Sequence, residues 1–288
     1  MIRSIEERRK DYDSYFPIDN AFNILKDSLK HIGYDYENLQ LQVFNREDHK
    51  QLQTGQTFDI DPPSDVRIAF NLWKDGVESY RILFHEFGHA LHFKHIDPNL
   101  PYILRTNMPS HFTEGLAQVI EYLIFDDDWL QTFTALSPSE RLDLRVTQAA
   151  YDLLRHRRDI AFAEFERLAY RDEPSNMDNL SSTINREILF PDADEGENLS
   201  DLNLRLHQFI DQPLSAVQTL LTVAIREHVR AFISKQAGKG FTNVRDLLVQ
   251  FYRVGNLKEW DDLINEVTGE PLNMDYLGRY FSIVGNLS

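Results

Sequence analysis

Ala21, Phe22, Leu25, Leu29 and Ile32 recur at the three-and-four spacing of a single helix face, after Asp19 and before Gly33. Aspartate caps helix starts and glycine caps helix ends, so the pattern predicts a helix between them. The period then changes. Residues 39–44 and 66–73 alternate, with Val66, Ile68, Phe70 and Leu72 on one face of the second segment and Arg67, Ala69 and Asn71 on the other. Both read as strands. Residues 51–64 between them, QLQTGQTFDIDPPS, are polar and carry Gly55 and Pro62-Pro63, which predicts a loop.

A long helix is predicted from about Gly76 to near Asp97, because Pro98 disfavours helical geometry in the residue before it. Ser110 can cap a second helix running to about Phe125, with Phe112, Leu116, Ile120, Leu123 and Ile124 on its apolar side and the acidic residues 126–128 closing it. Helical periodicity continues through 138–171, 177–189, 200–210, 213–237, 242–254 and 257–267. The acidic break at 191–201 lacks the ligand spacing of a calcium loop. The expected architecture is mainly α with a small β-sheet, a single unit over 1–288. Within it, 1–75 form the first helix and sheet, 76–126 a helix pair, and 127–288 a helical array.

Composition narrows the function. The chain has 288 residues and no cysteine, and 30 Lys+Arg against 46 Asp+Glu give 30 − 46 = −16. That surplus opposes binding to nucleic acid or to an anionic membrane. Without cysteine there is no disulfide, no thiolate metal site and no cysteine nucleophile, which also excludes a peptide deformylase type of site. No apolar run approaches the length of a signal peptide core or a membrane span, so a soluble cytoplasmic protein is expected.

The predicted long helix contains His85-Glu86-Phe87-Gly88-His89, the HExxH pattern. Residues four apart share a helix face, so His85 and His89 can direct two imidazoles at one metal ion while Glu86 reaches a water beside it. Leu83, Phe84, Phe87, Ala90 and Leu91 surround the pair with apolar surface. Burying two imidazoles and a carboxylate there without a partner would be costly. A catalytic zinc needs a third protein ligand and an open position. His92 is seven residues from His85, roughly 10 Å along the axis, too far to converge. His95 fits the ligand spacing HExxHxxGxxH of the metzincins, except that His92 stands where that pattern has glycine. Glu114 is the other candidate, on the next predicted helix, where Gln118 and Glu121 follow at i+4 and i+7 as a polar stripe suited to support the ligands.

His85-Glu86-Phe87-Gly88-His89-Ala90-Leu91-His92, then Thr106-Asn107-Met108-Pro109, Phe112 and Glu114-Gly115-Leu116-Ala117-Gln118 with Glu121, resemble the active-site region of the thimet oligopeptidase and oligoendopeptidase F family. The separation 114 − 89 = 25 agrees, and Tyr15-Phe16-Pro17-Ile18-Asp19 and the strand 66–73 occur upstream in the same order. The resemblance is specific over residues 12–125 and loose beyond them.

It implies a gluzincin, a zincin-like metallopeptidase catalytic domain with one Zn2+ held by His85, His89 and Glu114. Glu86 would act as the general base that activates the zinc-held water, and peptides or proteins would be the substrates. It also implies that substrate pairs along Ala69 to Asn71, a segment whose period-two alternation independently suits β-augmentation. The family's enzymes are much longer, and they stabilise the oxyanion with a histidine followed by tyrosines. His207 matches that histidine, but residues 213–219 lack the tyrosines, leaving Tyr252, Tyr276 or Tyr280 as substitutes. Two alternatives stand beside this reading: a metzincin-like protease using His95, and a degenerate module that binds metal and peptide without cutting.

Overall fold

The computed structural model describes residues 2–45, 53–172, 175–194, 197–237 and 241–285. Helix α1 (Ile2–Lys10) leads into α2 (Ile18–His31), which is the helix expected around residues 21–32. Pro17 rather than Asp19 takes its N-cap position, and Asp19 lies in the first turn, where its charge complements the helix dipole. The chain leaves α2 through Gly33 at φ 97°, a left-handed conformation that favours glycine.

After α3 (Tyr36–Leu39) come β1 (Gln42–Asn45), β2 (Thr54–Asp61) and β3 (Asp65–Asn71). The sheet order is β1-β3-β2, with β1 parallel and β2 antiparallel to β3. Two expectations change here. Most of the segment read as a loop is strand β2, held to β3 from Thr54↔Asn71 to Phe58↔Arg67. Its polarity runs inside out: Phe58 and Ile60 are exposed, while Gly55, Thr57 and Asp59 lie on the better-covered face. In addition, β3 is the central strand. Ala69 pairs with Phe44 on one side and Gln56 on the other, and Asn71 pairs with Thr54. A strand flanked on both sides offers no free row of backbone groups, so β3 presents no edge to an added peptide at Ala69, and at Asn71 its β2 side is filled.

Helix α4 (Val77–Lys94) follows, then α5 (Tyr102–Arg105) and α6 (Ser110–Glu121), which runs into a 3-10 turn over Tyr122–Phe125. The acidic residues 126–128 open the next helix instead of closing this one. Asp126 stands at the N-cap position of α7 (Asp127–Phe133), and Asp127 and Asp128 occupy its first turn. The remainder is α8 (Pro138–Asp172), α9 (Met177–Ile188), α10 (Leu202–Asp211), α11 (Ser215–Ala237), α12 (Arg245–Tyr252), α13 (Trp260–Thr268) and α14 (Asp275–Gly285). Helices α1 and α14 were not among the expected elements.

The main core lies around α4. Leu25 from α2, Ile68 from β3, Leu83, Phe84 and Phe87 from α4, and Leu116 and Ile120 from α6 are all sealed from solvent. Burying each such side chain contributes about 1.5–3 kcal/mol. A second apolar cluster, with Phe162, Phe165, Ile184 and Ala216, joins α8, α9 and the start of α11. Among the described residues no helix is long and apolar enough to cross a membrane.

Candidate metal centre

Helices α4 and α6 approach so closely at Gly88 that a Cβ there would come within 2.5 Å of the Ala117 carbonyl oxygen. The absence of a side chain lets the two backbones meet, and the close crossing brings Glu114 over the histidines of α4. His85 Nε2 lies 3.3 Å from Glu114 Oε2, and His89 Nε2 lies 3.4 Å from Glu114 Oε1. One ligand atom from each residue falls within 4.8 Å of the others. Zinc bonds of about 2.1 Å in a tetrahedron put ligand atoms roughly 3.4 Å apart; each histidine meets Glu114 at that spacing, and two imidazoles with a carboxylate are donors that zinc takes.

The far side of His85 is also held. Its Nδ1 is 2.9 Å from Glu121 Oε2, an N–H donating to a carboxylate. Glu121 is buried at 3% exposure, and its other oxygen accepts from Arg81 Nε at 2.8 Å and Nη2 at 2.6 Å. Arg81 in turn donates to Glu78 at 3.1 Å, and Glu78 accepts from Arg9 of α1 at 2.7 Å. Burial alone would push the His85 imidazolium down, but Glu114 and Glu121 outweigh it and raise the pKa from 6.5 to about 10. Burial likewise opposes ionisation of Glu121, yet Arg81 and His85 hold its carboxyl down at about 2. His85 is thus flanked by two carboxylates, and Glu114 also faces His89.

Glu86 is buried at 5% exposure and points towards β2, where its Oε2 accepts from the Thr57 hydroxyl at 2.8 Å. Gln118, one turn beyond Glu114, accepts from Arg226 Nη1 at 3.4 Å. The guanidinium of Arg226, itself fully buried, lies 3.6 Å from the centre of the Tyr122 ring.

His95 stays outside this group. Helix α4 runs unbroken to Lys94, and His95 follows at φ −113°, with no left-handed departure to swing its ring back. Its Nδ1–H donates to the Leu91 carbonyl at 2.8 Å. His92, in place of the glycine that a metzincin turn needs, is fully buried and stacked on Tyr252, with ring centres 5.0 Å apart. His207 sits on α10 with its side chain 77% exposed, 3.3 Å from Asp211, and among the described residues nothing joins it to the centre. The Tyr276 hydroxyl donates to Glu270 and that of Tyr280 to Asp152, each at 2.6 Å. The Tyr252 hydroxyl is buried with no partner among the described residues.

Sequence reasoning missed Arg81, Arg226, Gly55 and Thr57. Only Arg81 left a readable signal, four residues before His85 on the same helix face.

The three-stranded sheet, the helix pair and the helical array make this a mainly helical fold with a small sheet. No family model and no curated protein matches the sequence. Among solved structures, the chain is similar to an M32 carboxypeptidase from Deinococcus radiodurans, with 17% identity, a TM-score of 0.64, and 95% of this chain and 61% of that one covered. It is also similar to a carboxypeptidase from Pyrococcus furiosus, with 14% identity, a TM-score of 0.66 and coverage of 93% and 58%. A third match is metallocarboxypeptidase 1 from Trypanosoma cruzi, with 12% identity, a TM-score of 0.62 and coverage of 98% and 62%. At these identities the likeness is one of fold. The chain spans about three fifths of the length of these structures.

Proposed function

We propose that this protein is a zinc-dependent peptidase, with His85, His89 and Glu114 holding one Zn2+ and Glu86 acting as the general base. The observation that carries the reading is the convergence of both Nε2 atoms on the Glu114 carboxylate at 3.3 and 3.4 Å, beside a buried Glu86. The fold shared with carboxypeptidases supports metal-dependent peptide hydrolysis in general. The likeness of residues 85–92 and 106–121 to thimet oligopeptidase and oligoendopeptidase F supports this particular ligand set.

When bound, zinc would supply Lewis-acid polarisation of the scissile carbonyl and of the attacking water. Glu86 takes the proton of that water and returns it to the leaving amine. Glu121, by accepting from His85 Nδ1–H, fixes the tautomer that leaves Nε2 free for the metal. An extended substrate backbone is best accommodated on β2, the edge strand that carries Thr57 against Glu86.

The test is a peptide library incubated with zinc-loaded protein and read by mass spectrometry. New termini should form, vanish with a chelator and return with added zinc. Trimming confined to carboxyl ends would resemble the structural neighbours, and internal cuts the oligopeptidases. Peptide retention without any new terminus would support the degenerate, binding-only module instead. A second expectation concerns Glu121→Gln, which should weaken zinc binding about 10–100-fold in competition with a chromogenic chelator. Unchanged affinity would remove Glu121 from the site.

A further inference from the structure

Strand β2 presents two residues of one face to Glu86. Gly55 and Thr57 pair with Phe70 and Ile68, whose side chains are buried, so their face is the one turned to α4. Thr57 Oγ1 lies 2.8 Å from Glu86 Oε2 and 2.9 Å from the Glu86 carbonyl oxygen, sharing its hydroxyl proton between them. At Gly55 a Cβ would stand 2.5 Å from Glu86 Cγ, 2.9 Å from Oε1 and 2.9 Å from Ile82 Cγ2. The stem of Glu86 occupies the volume that any other residue would fill. Among the described residues only Oε2 takes a hydrogen bond; Oε1 takes none.

We propose that β2 is the device that aims the general base, with Thr57 a positioning residue that anchors Oε2 and Gly55 the gap that admits the side chain. Oε1 is thereby left as the oxygen that accepts the proton of water. This rests on the reading of Glu86 as the base. A hydroxyl on one oxygen of a carboxylate removes its rotational freedom without consuming the second oxygen, and a misplacement of about 1 Å at such a group costs about 100-fold in rate. The arrangement also accounts for the inverted polarity of β2: its polar face is turned inward because a catalytic carboxylate lies beneath it.

The experiment compares Thr57→Val, Thr57→Ser and Gly55→Ala with the parent, measuring kcat, KM and bound zinc on one cleaved peptide. Thr57→Val keeps the shape and loses the donor, so kcat should fall about 10- to 100-fold with KM and zinc content near parental values. Thr57→Ser keeps the donor and should recover most of the loss. Gly55→Ala should lower kcat with zinc retained, since the added methyl displaces Glu86. In a Glu86→Gln background Thr57→Val should have no further effect on kcat. Bound zinc reports that each variant is folded, and if Thr57→Val fails to bind it, Gly55→Ala and Thr57→Ser carry the comparison. Parental kcat in Thr57→Val, or equal losses in Thr57→Val and Thr57→Ser, would overturn the positioning role. Full activity of Glu86→Gln would instead overturn the reading of the base itself, so the two failures are distinct.

Discussion

Glu86→Gln is expected to give a protein that binds zinc as the parent does and scarcely turns over. Glutamine has the shape of glutamate, and its carbonyl oxygen can still accept from Thr57, so the close fit of α4 against β2 is retained. What it lacks is basicity. Neither the donor set His85, His89 and Glu114 nor the Glu121 support changes, so zinc content by atomic absorption should stay near one ion per chain. Loss of a positioned acid–base group costs about 10²–10⁴-fold, and kcat should fall by that factor with KM little altered. A variant that hydrolyses at the parental rate would show that another group moves the proton.

The histidine pair of this site was readable from spacing alone. His85 and His89 are one helical turn apart, while Glu114 stood beside His95 as a candidate that the family resemblance favoured; in the structure it is Glu114 that faces both Nε2 atoms. The support of His85 was half readable. Glu121 stood on a polar stripe that a solvated helix face would equally produce, and its burial follows from Arg81, a cation on α4 and so remote in sequence.

Strand β2 was not readable, because strand signals assume apolar residues inside and polar residues outside. Over residues 54–61 that order is reversed, with Phe58 and Ile60 outward and Thr57 turned to Glu86. The same omission misassigned the substrate edge. With residues 51–64 taken as a loop, the strand 66–73 had a free side, and only the pairing of Gln56 with Ala69 shows that side to be filled. His207 was drawn from the loosely similar C-terminal helices, where helical periodicity fixes the elements but not which way α10 faces.

Glu114→Ala and His95→Ala should behave in opposite ways. A zinc site worth about 10–16 kcal/mol over four ligands assigns roughly 2.5–4 kcal/mol to each, so losing Glu114 should weaken zinc binding about 100- to 1,000-fold. The loss has a further cause: Glu114 carries the negative charge that faces both Nε2 atoms, at 3.3 and 3.4 Å. Without it His85 keeps Glu121 on its opposite side, and His89 loses the carboxylate it faces. His95→Ala removes a ring whose N–H serves the Leu91 carbonyl and which meets the Tyr34 ring edge-to-face, with centres 5.1 Å apart. It should cost about 1 kcal/mol of stability and leave zinc affinity unchanged. Isothermal titration of both variants against their melting temperatures separates the two roles. Should His95→Ala lose the metal and Glu114→Ala keep it, α4 must unwind beyond His89 in solution, and the three-residue cage at the α4–α6 crossing would not be the binding site.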